Sequence, residues 1–97
     1  MMFGLDKSIV NEGVLNNFGN LAIIFNTYLE SILFENGKPI YSGFVIYSLM
    51  GSDVRFMCIK WEFRDGSLNF LNQLNDSGFP DFESAAFELS KNHEVYV

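Results

Sequence analysis

The stretch IYSGFVIYSLMGSDVRFMCIKWEF, residues 40–63, holds two runs rich in β-branched and aromatic side chains on either side of Gly51-Ser52-Asp53. Ile40 to Met50 and Val54 to Phe63 therefore read as two strands of an antiparallel β-hairpin joined by a short turn. Tyr41, Phe44, Ile46, Tyr47 and Leu49 make the first strand apolar on both faces, more than one packed layer needs. Either helices cover both faces, or an uncovered one invites a second copy of the chain. In the second run Val54, Phe56 and Cys58 share one face, and Met57, Ile59, Trp61 and Phe63 the other. Both faces are then partly buried, or a bulge near Cys58 shifts the register.

Upstream of the hairpin, Leu5, Ile9, Val10, Val14 and Phe18 recur at helical spacing, with Asp6 or Ser8 available as N-cap, although Gly13 weakens the pattern. Gly19-Asn20 reads as a joint, because Gly closes a helix and Asn caps the next one. Leu21, Ile24/Phe25, Tyr28 and Ile32 then form a broad apolar stripe, so a second helix is expected over Leu21 to Phe34. Gly37 and Pro39 would terminate it.

Downstream, Asp65-Gly66 breaks the second strand. Ser67 can cap a short helix with Leu68, Leu71 and Leu74 inward, ending near Gly78; a strand beginning at Leu68 is the competing reading. Pro80-Asp81 opens a last helix with Phe82, Ala85, Ala86 and Leu89 facing the core, and Glu94-Val95-Tyr96-Val97 follows as a terminal edge strand. The expected fold is a single α+β domain over residues 1–97. In order it has two N-terminal helices, a central antiparallel β-hairpin, a short helix, a C-terminal helix and a terminal edge strand.

Composition agrees with a folded domain. The 97 residues are 48% hydrophobic and 16% aromatic, which excludes intrinsic disorder. A chain of this size buries only roughly 60 to 65% of its unfolded surface, so its core must come from large side chains. The net charge of −6 is unevenly placed. Asp65, Asp76, Asp81, Glu83, Glu88 and Glu94 face Lys91 alone in the last third, whereas the first 64 residues are nearly balanced. Such a chain lacks the clustered cations that nucleic-acid affinity requires. Arg55, Lys60 and Arg64 interleave with Phe56, Trp61 and Phe63, yet Arg55 and Lys60 have opposite parity and three bases make a weak patch.

Most chemistries fail on residue type. His93 and Cys58 are the only histidine and cysteine, so neither a zinc site nor an internal disulfide is expected. Asp65, Ser67, Asn69 and Asp76 superficially resemble a calcium loop, but Phe70 stands where Gly is required. Cys58 sits in an apolar strand and reads as an inert core thiol. His93, near Lys91, reads as a surface residue closing the last helix. Glu83 and Glu88 do not share a helical face and make no acid–base pair; Asp81 and Glu83 complement the helix N-terminus instead. No glycine-rich phosphate loop occurs, since Gly4, Gly13 and Gly19 are scattered. No catalytic residue, cofactor or metal is expected.

With no signal-peptide pattern, no apolar run long enough to span a bilayer and a single cysteine, the expected setting is the cytoplasm, away from membranes. The expected function is that of a non-catalytic protein-binding module, an inhibitor, antitoxin or immunity protein. Its acidic C-terminal third would neutralise a basic partner such as a toxin or a nucleic-acid-binding enzyme. Asp76, Asp81, Glu83 and Glu88 would supply the charge, and Phe79 and Phe82 the anchors. One alternative is an assembly protein that forms a homodimer through the apolar hairpin. A nucleic-acid mimic, whose carboxylates imitate phosphates, is the other.

Overall fold

The computed structural model describes residues 5–51 and 54–96. Its elements are α1 (Ser8–Phe18), a single 3₁₀ turn (Gly19–Leu21), β1 (Ala22–Glu35), β2 (Lys38–Leu49), β3 (Arg55–Arg64), β4 (Ser67–Gln73) and α2 (Phe82–Asn92). The four strands form one antiparallel sheet in the order β1-β2-β3-β4, with each strand beside its neighbour in sequence. One helix lies on each face. The α+β class and the hairpin over residues 40–63 agree with the sequence, as do the first and last helices; Ser52 and Asp53 of its turn lie outside the described residues.

β2 is the centre of the structure. Every residue from Gly43 to Ser48 is buried. Val45 and Tyr47 point to the α1 side, where Val10, Val14, Leu29, Ile59 and Trp61 complete a core. Phe44 and Ile46 point to the α2 side, with Tyr28, Cys58, Phe79, Ala85 and Leu89. The doubly apolar stretch Gly43 to Ser48 is thus covered by helices on both faces. β2 and β3 keep an unbroken register through Ile46↔Cys58, so the change of parity in β3 reflects burial on both sides, and the register shift close to Cys58 lies instead between β3 and β4, at Ile59/Trp61.

Where the second helix was expected, the chain is β1. Two register shifts, between Ile24 and Asn26 and between Leu29 and Ser31, insert Phe25 and Glu30 as extra residues opposite β2. Each bulge moves the inward positions by one, so Ala22 and Ile24, then Thr27 and Leu29, then Ile32 and Phe34 face α1. Alternation is lost in the sequence but kept in the fold. The expected helix terminator is a turn: Asn36-Gly37 separates the pair Glu35↔Lys38, as Asp65-Gly66 separates Arg64↔Ser67. All four central residues have positive φ, 53° and 78° in the first turn and 50° and 76° in the second. This is the type I′ hairpin turn, favoured because its twist matches that of the strands it joins.

The second turn delivers β4 where a short helix was expected. Leu68 and Phe70 pack toward α1, and Leu74 N–H donates to the Cys58 carbonyl (2.7 Å) as the strand ends. The chain then returns to the same edge of β3, where Phe79 and Phe56 exchange two backbone hydrogen bonds (2.8 and 2.9 Å). α2 crosses the sheet from there to the opposite edge. Asp81 Oδ1 accepts from Ser84 N–H at 2.7 Å to cap it, and Ala85 and Leu89 are its buried stripe. Among the described residues the expected terminal strand shrinks to one bridge, Leu29↔Tyr96, where it meets β1; Val97 lies outside them.

Gly43 sets the distance between β2 and its neighbours. A Cβ there would collide with the Tyr28 carbonyl oxygen and stand 2.7 Å from Trp61 Cζ2 and 3.0 Å from Leu29 Cα. The fully buried Trp61 ring fills the space that glycine leaves. Gly43→Ala is therefore expected to destabilise the fold by about 3 kcal/mol, since backbone atoms cannot yield as a flexible side chain would. Urea denaturation with an unchanged m-value checks this.

Candidate functional site

The residues expected to bind a partner separate into two groups. Asp81 and Glu83 are exposed at the start of α2, and Asp76 is exposed in the turn that leads to it. That turn is held by Asn75, whose Oδ1 accepts from Ser77 N–H (3.1 Å), and by Arg55, which donates to the Ser77 and Gly78 carbonyls (3.1 and 3.0 Å). Phe82 is half-buried beside them. Phe79, by contrast, is only 7% exposed and belongs to the core below α2. Glu88 lies further along the helix, with its carboxylate accepting from Asn92 Nδ2 at 3.2 Å.

An apolar ledge adjoins these acids. The first β1 bulge turns Phe25 to the α2 side, where its ring lies 5.0 Å from Phe56 and 5.8 Å from Phe82. Ile23 shares that face through its register with Ser48 and Phe56. Ile23 and Phe25 are 44% and 42% exposed, and Met50 and Val54 at the same end of the sheet are more open still. The result is an apolar centre with a carboxylate rim. Phe25 and Ile23 escape a sequence reading because a helix over 21–34 places Phe25 in the buried stripe. Phe87, also exposed, projects from the solvent side of α2.

A second polar group bridges α2 and the sheet. His93 Nδ1 lies 2.7 Å from Glu30 Oε2, Lys60 Nζ is 3.6 Å from Glu30 Oε1, and the Lys60 ammonium stands 5.9 Å from the centre of the Phe44 ring. The imidazole also lies against that ring, with centroids 4.6 Å apart. His93 is therefore half-buried and tied to β1 rather than free on the surface. Glu30 reaches it only because the second bulge turns it to that side. Lys60 is thus engaged with Glu30, Arg64 with Glu62 and Glu35, and Arg55 with the turn, which leaves the three bases of β3 committed within the chain.

Burial pushes the Cys58 thiol up to about 12, so the nucleophilic thiolate is not populated at neutral pH. Among the described residues no three His, Cys, Asp or Glu side chains are grouped to hold a metal ion, and no helix is long and apolar enough to cross a membrane. No protein-family model, curated protein or solved structure matches the chain.

Two outcomes follow from these groups. Cys58 should resist alkylation by iodoacetamide in the native protein and react fully in denaturant, as read by mass spectrometry. The Ser84 N–H that Asp81 accepts holds its carboxyl below the usual aspartate value of 3.8. A depressed folded-state value makes the stabilisation complete above 3.8 and removes it as pH falls through the folded one. The thermal midpoint of the parent should therefore exceed that of Asp81→Asn at neutral pH, with the difference vanishing in strong acid.

Proposed function

We propose that the chain is a non-catalytic protein-binding module that takes a basic protein partner on the ledge at the start of α2. The observation that carries this reading is the juxtaposition of the exposed Ile23 and Phe25 with the exposed carboxylates of Asp81 and Glu83. Interfaces gain affinity from a desolvated apolar centre and select partners and speed encounter through the charges around it. Phe25 and Phe82 take the anchoring role. Asp76, Asp81 and Glu83 form the steering rim, and Glu88 extends it along α2.

An inhibitor of the antitoxin or immunity type fits this design, with a toxin or nucleic-acid-binding enzyme as the basic partner. Such a protein must occupy its partner rather than transform it. The apolar centre favours this reading over a nucleic-acid mimic, because phosphate imitation calls for carboxylates at regular spacing without a hydrophobic anchor.

The test is affinity capture from the source cells with the intact chain as bait. A basic protein should be retained at low salt and released as ionic strength rises. Glu83→Lys and Phe25→Ala should each weaken its binding by about tenfold or more, with circular dichroism showing both variants folded. A partner that is acidic, or one whose binding neither substitution changes, would overturn the reading.

A further inference from the structure

We infer that the free edge of β1 over residues 31–35 is a pairing site for a second copy of this chain. The site lies at the other end of the sheet from the acidic ledge, and its argument is independent of that reading. β1 is an edge strand. Among the described residues, its outer side is met only at Leu29, whose N–H and C=O exchange hydrogen bonds with Tyr96 (2.7 and 2.8 Å). Between that bridge and the Asn36-Gly37 turn, Ser31 to Glu35 form a window of unpaired edge.

The register shows which backbone groups point outward. Glu35 and Lys38 flank a two-residue turn, so they form a hydrogen-bonded pair directed at each other. Alternation then directs Leu33 inward to Ile40, while the N–H and C=O of Ile32 and Phe34 point away from the sheet. Pro39, which has no N–H, is paired with Phe34 at a position where none is needed. Ile32 and Phe34 thus present two donors and two acceptors to the edge.

An identical strand satisfies all of them. With a two-fold axis at Leu33, Ile32 bonds with the second copy's Phe34 and Phe34 with the second copy's Ile32, giving four backbone hydrogen bonds. Side chains agree with this register. Leu33 meets its own copy, Phe34 lies beside a β-branched Ile32, and Glu35 faces Ser31 rather than another carboxylate. Registers centred one residue either way use fewer of the outward groups, or drive Glu35 against the bridge at Leu29.

Exposure marks the same window. Leu33 and Phe34 are 62% and 72% exposed, and Phe34 is the most exposed large hydrophobic side chain among the described residues. The window also lacks the lysine and proline that usually protect an edge. Its length, the bulged Glu30 and five residues between the bridge and the turn, admits one strand and closes after one addition. One pair of short strands is a small contact beside the roughly 1,200 Å² that a standard stable interface buries, so the pairing is expected to be reversible.

Sedimentation equilibrium of the full chain under reducing conditions tests this. The weight-average mass should rise with concentration from that of one chain toward that of two. Leu33→Lys, at an exposed position, should raise the dissociation constant by about tenfold or more, because like charges then face each other across the axis. Leu33→Cys should oxidise to a covalent dimer, since facing residues of a non-hydrogen-bonded pair have Cα atoms about 4.5 Å apart. Glu35→Cys should not. A mass fixed at one chain into the millimolar range would overturn the inference, as would a dimer untouched by Leu33→Lys or equal cross-linking of the two cysteine variants.

Discussion

The burial of β2 on both faces is the constraint from which the architecture follows. A strand apolar on one side needs one covering layer, whereas Phe44, Val45, Ile46 and Tyr47 demand two. α1 meets the first demand with Val10 and Val14, each worth about 1.5 to 3 kcal/mol when fully buried. α2 meets the second with Ala85 and Leu89. Because only two α-helices occur among the described residues, neither face has a substitute there. Gly43 and Trp61 then fix how closely the strands β1, β2 and β3 approach one another.

The same demand explains how α2 is held. It is bound at the β3 edge before it begins, through Phe79 and Phe56, and at the β1 edge after it ends, through Tyr96 and Leu29. The Glu30–His93 contact adds a side-chain tie close to the second anchor. The strap therefore holds both edges of the sheet, and the acidic start of α2 sits beside the ledge at a fixed place. The ledge owes its form to the first bulge, which turns Phe25 toward Phe56 and Phe82.

Elements with an undisturbed period were legible in the sequence. The central hairpin has two runs of β-branched and aromatic residues about a short turn, paired in an unbroken register, and α2 has its Pro-Asp opening and its stripe at Phe82, Ala85, Ala86 and Leu89. β1 was not, because two inserted residues replace the spacing 2, 2, 2 by 2, 3, 2, 3, and a mixture of twos and threes reads as a helical stripe. Asn36-Gly37 carried the correction: as the strongest short hairpin signal it outweighs the apolar stripe before it. The candidate site was legible in charge but not in shape. Asp81 and Glu83 stand at the start of α2 as their types suggest, while nothing local distinguishes the buried Phe79 from the half-buried Phe82 three residues later. Glu30 and His93 are 63 residues apart, and only the second bulge and the return of the chain to β1 bring them together.

The strand order β1-β2-β3-β4 also has a kinetic meaning. Each strand pairs with the one made just before it, and two of the three connections are two-residue turns whose residues already favour the required backbone. Little chain entropy is lost in closing such short loops, so the sheet can zip from either turn before the helices dock. What must wait is the bridge between Tyr96 and Leu29, the contact of longest reach along the chain described here. During synthesis the meander can therefore assemble while α2 is still emerging, and the outer edge of β1 at Leu29 is covered last.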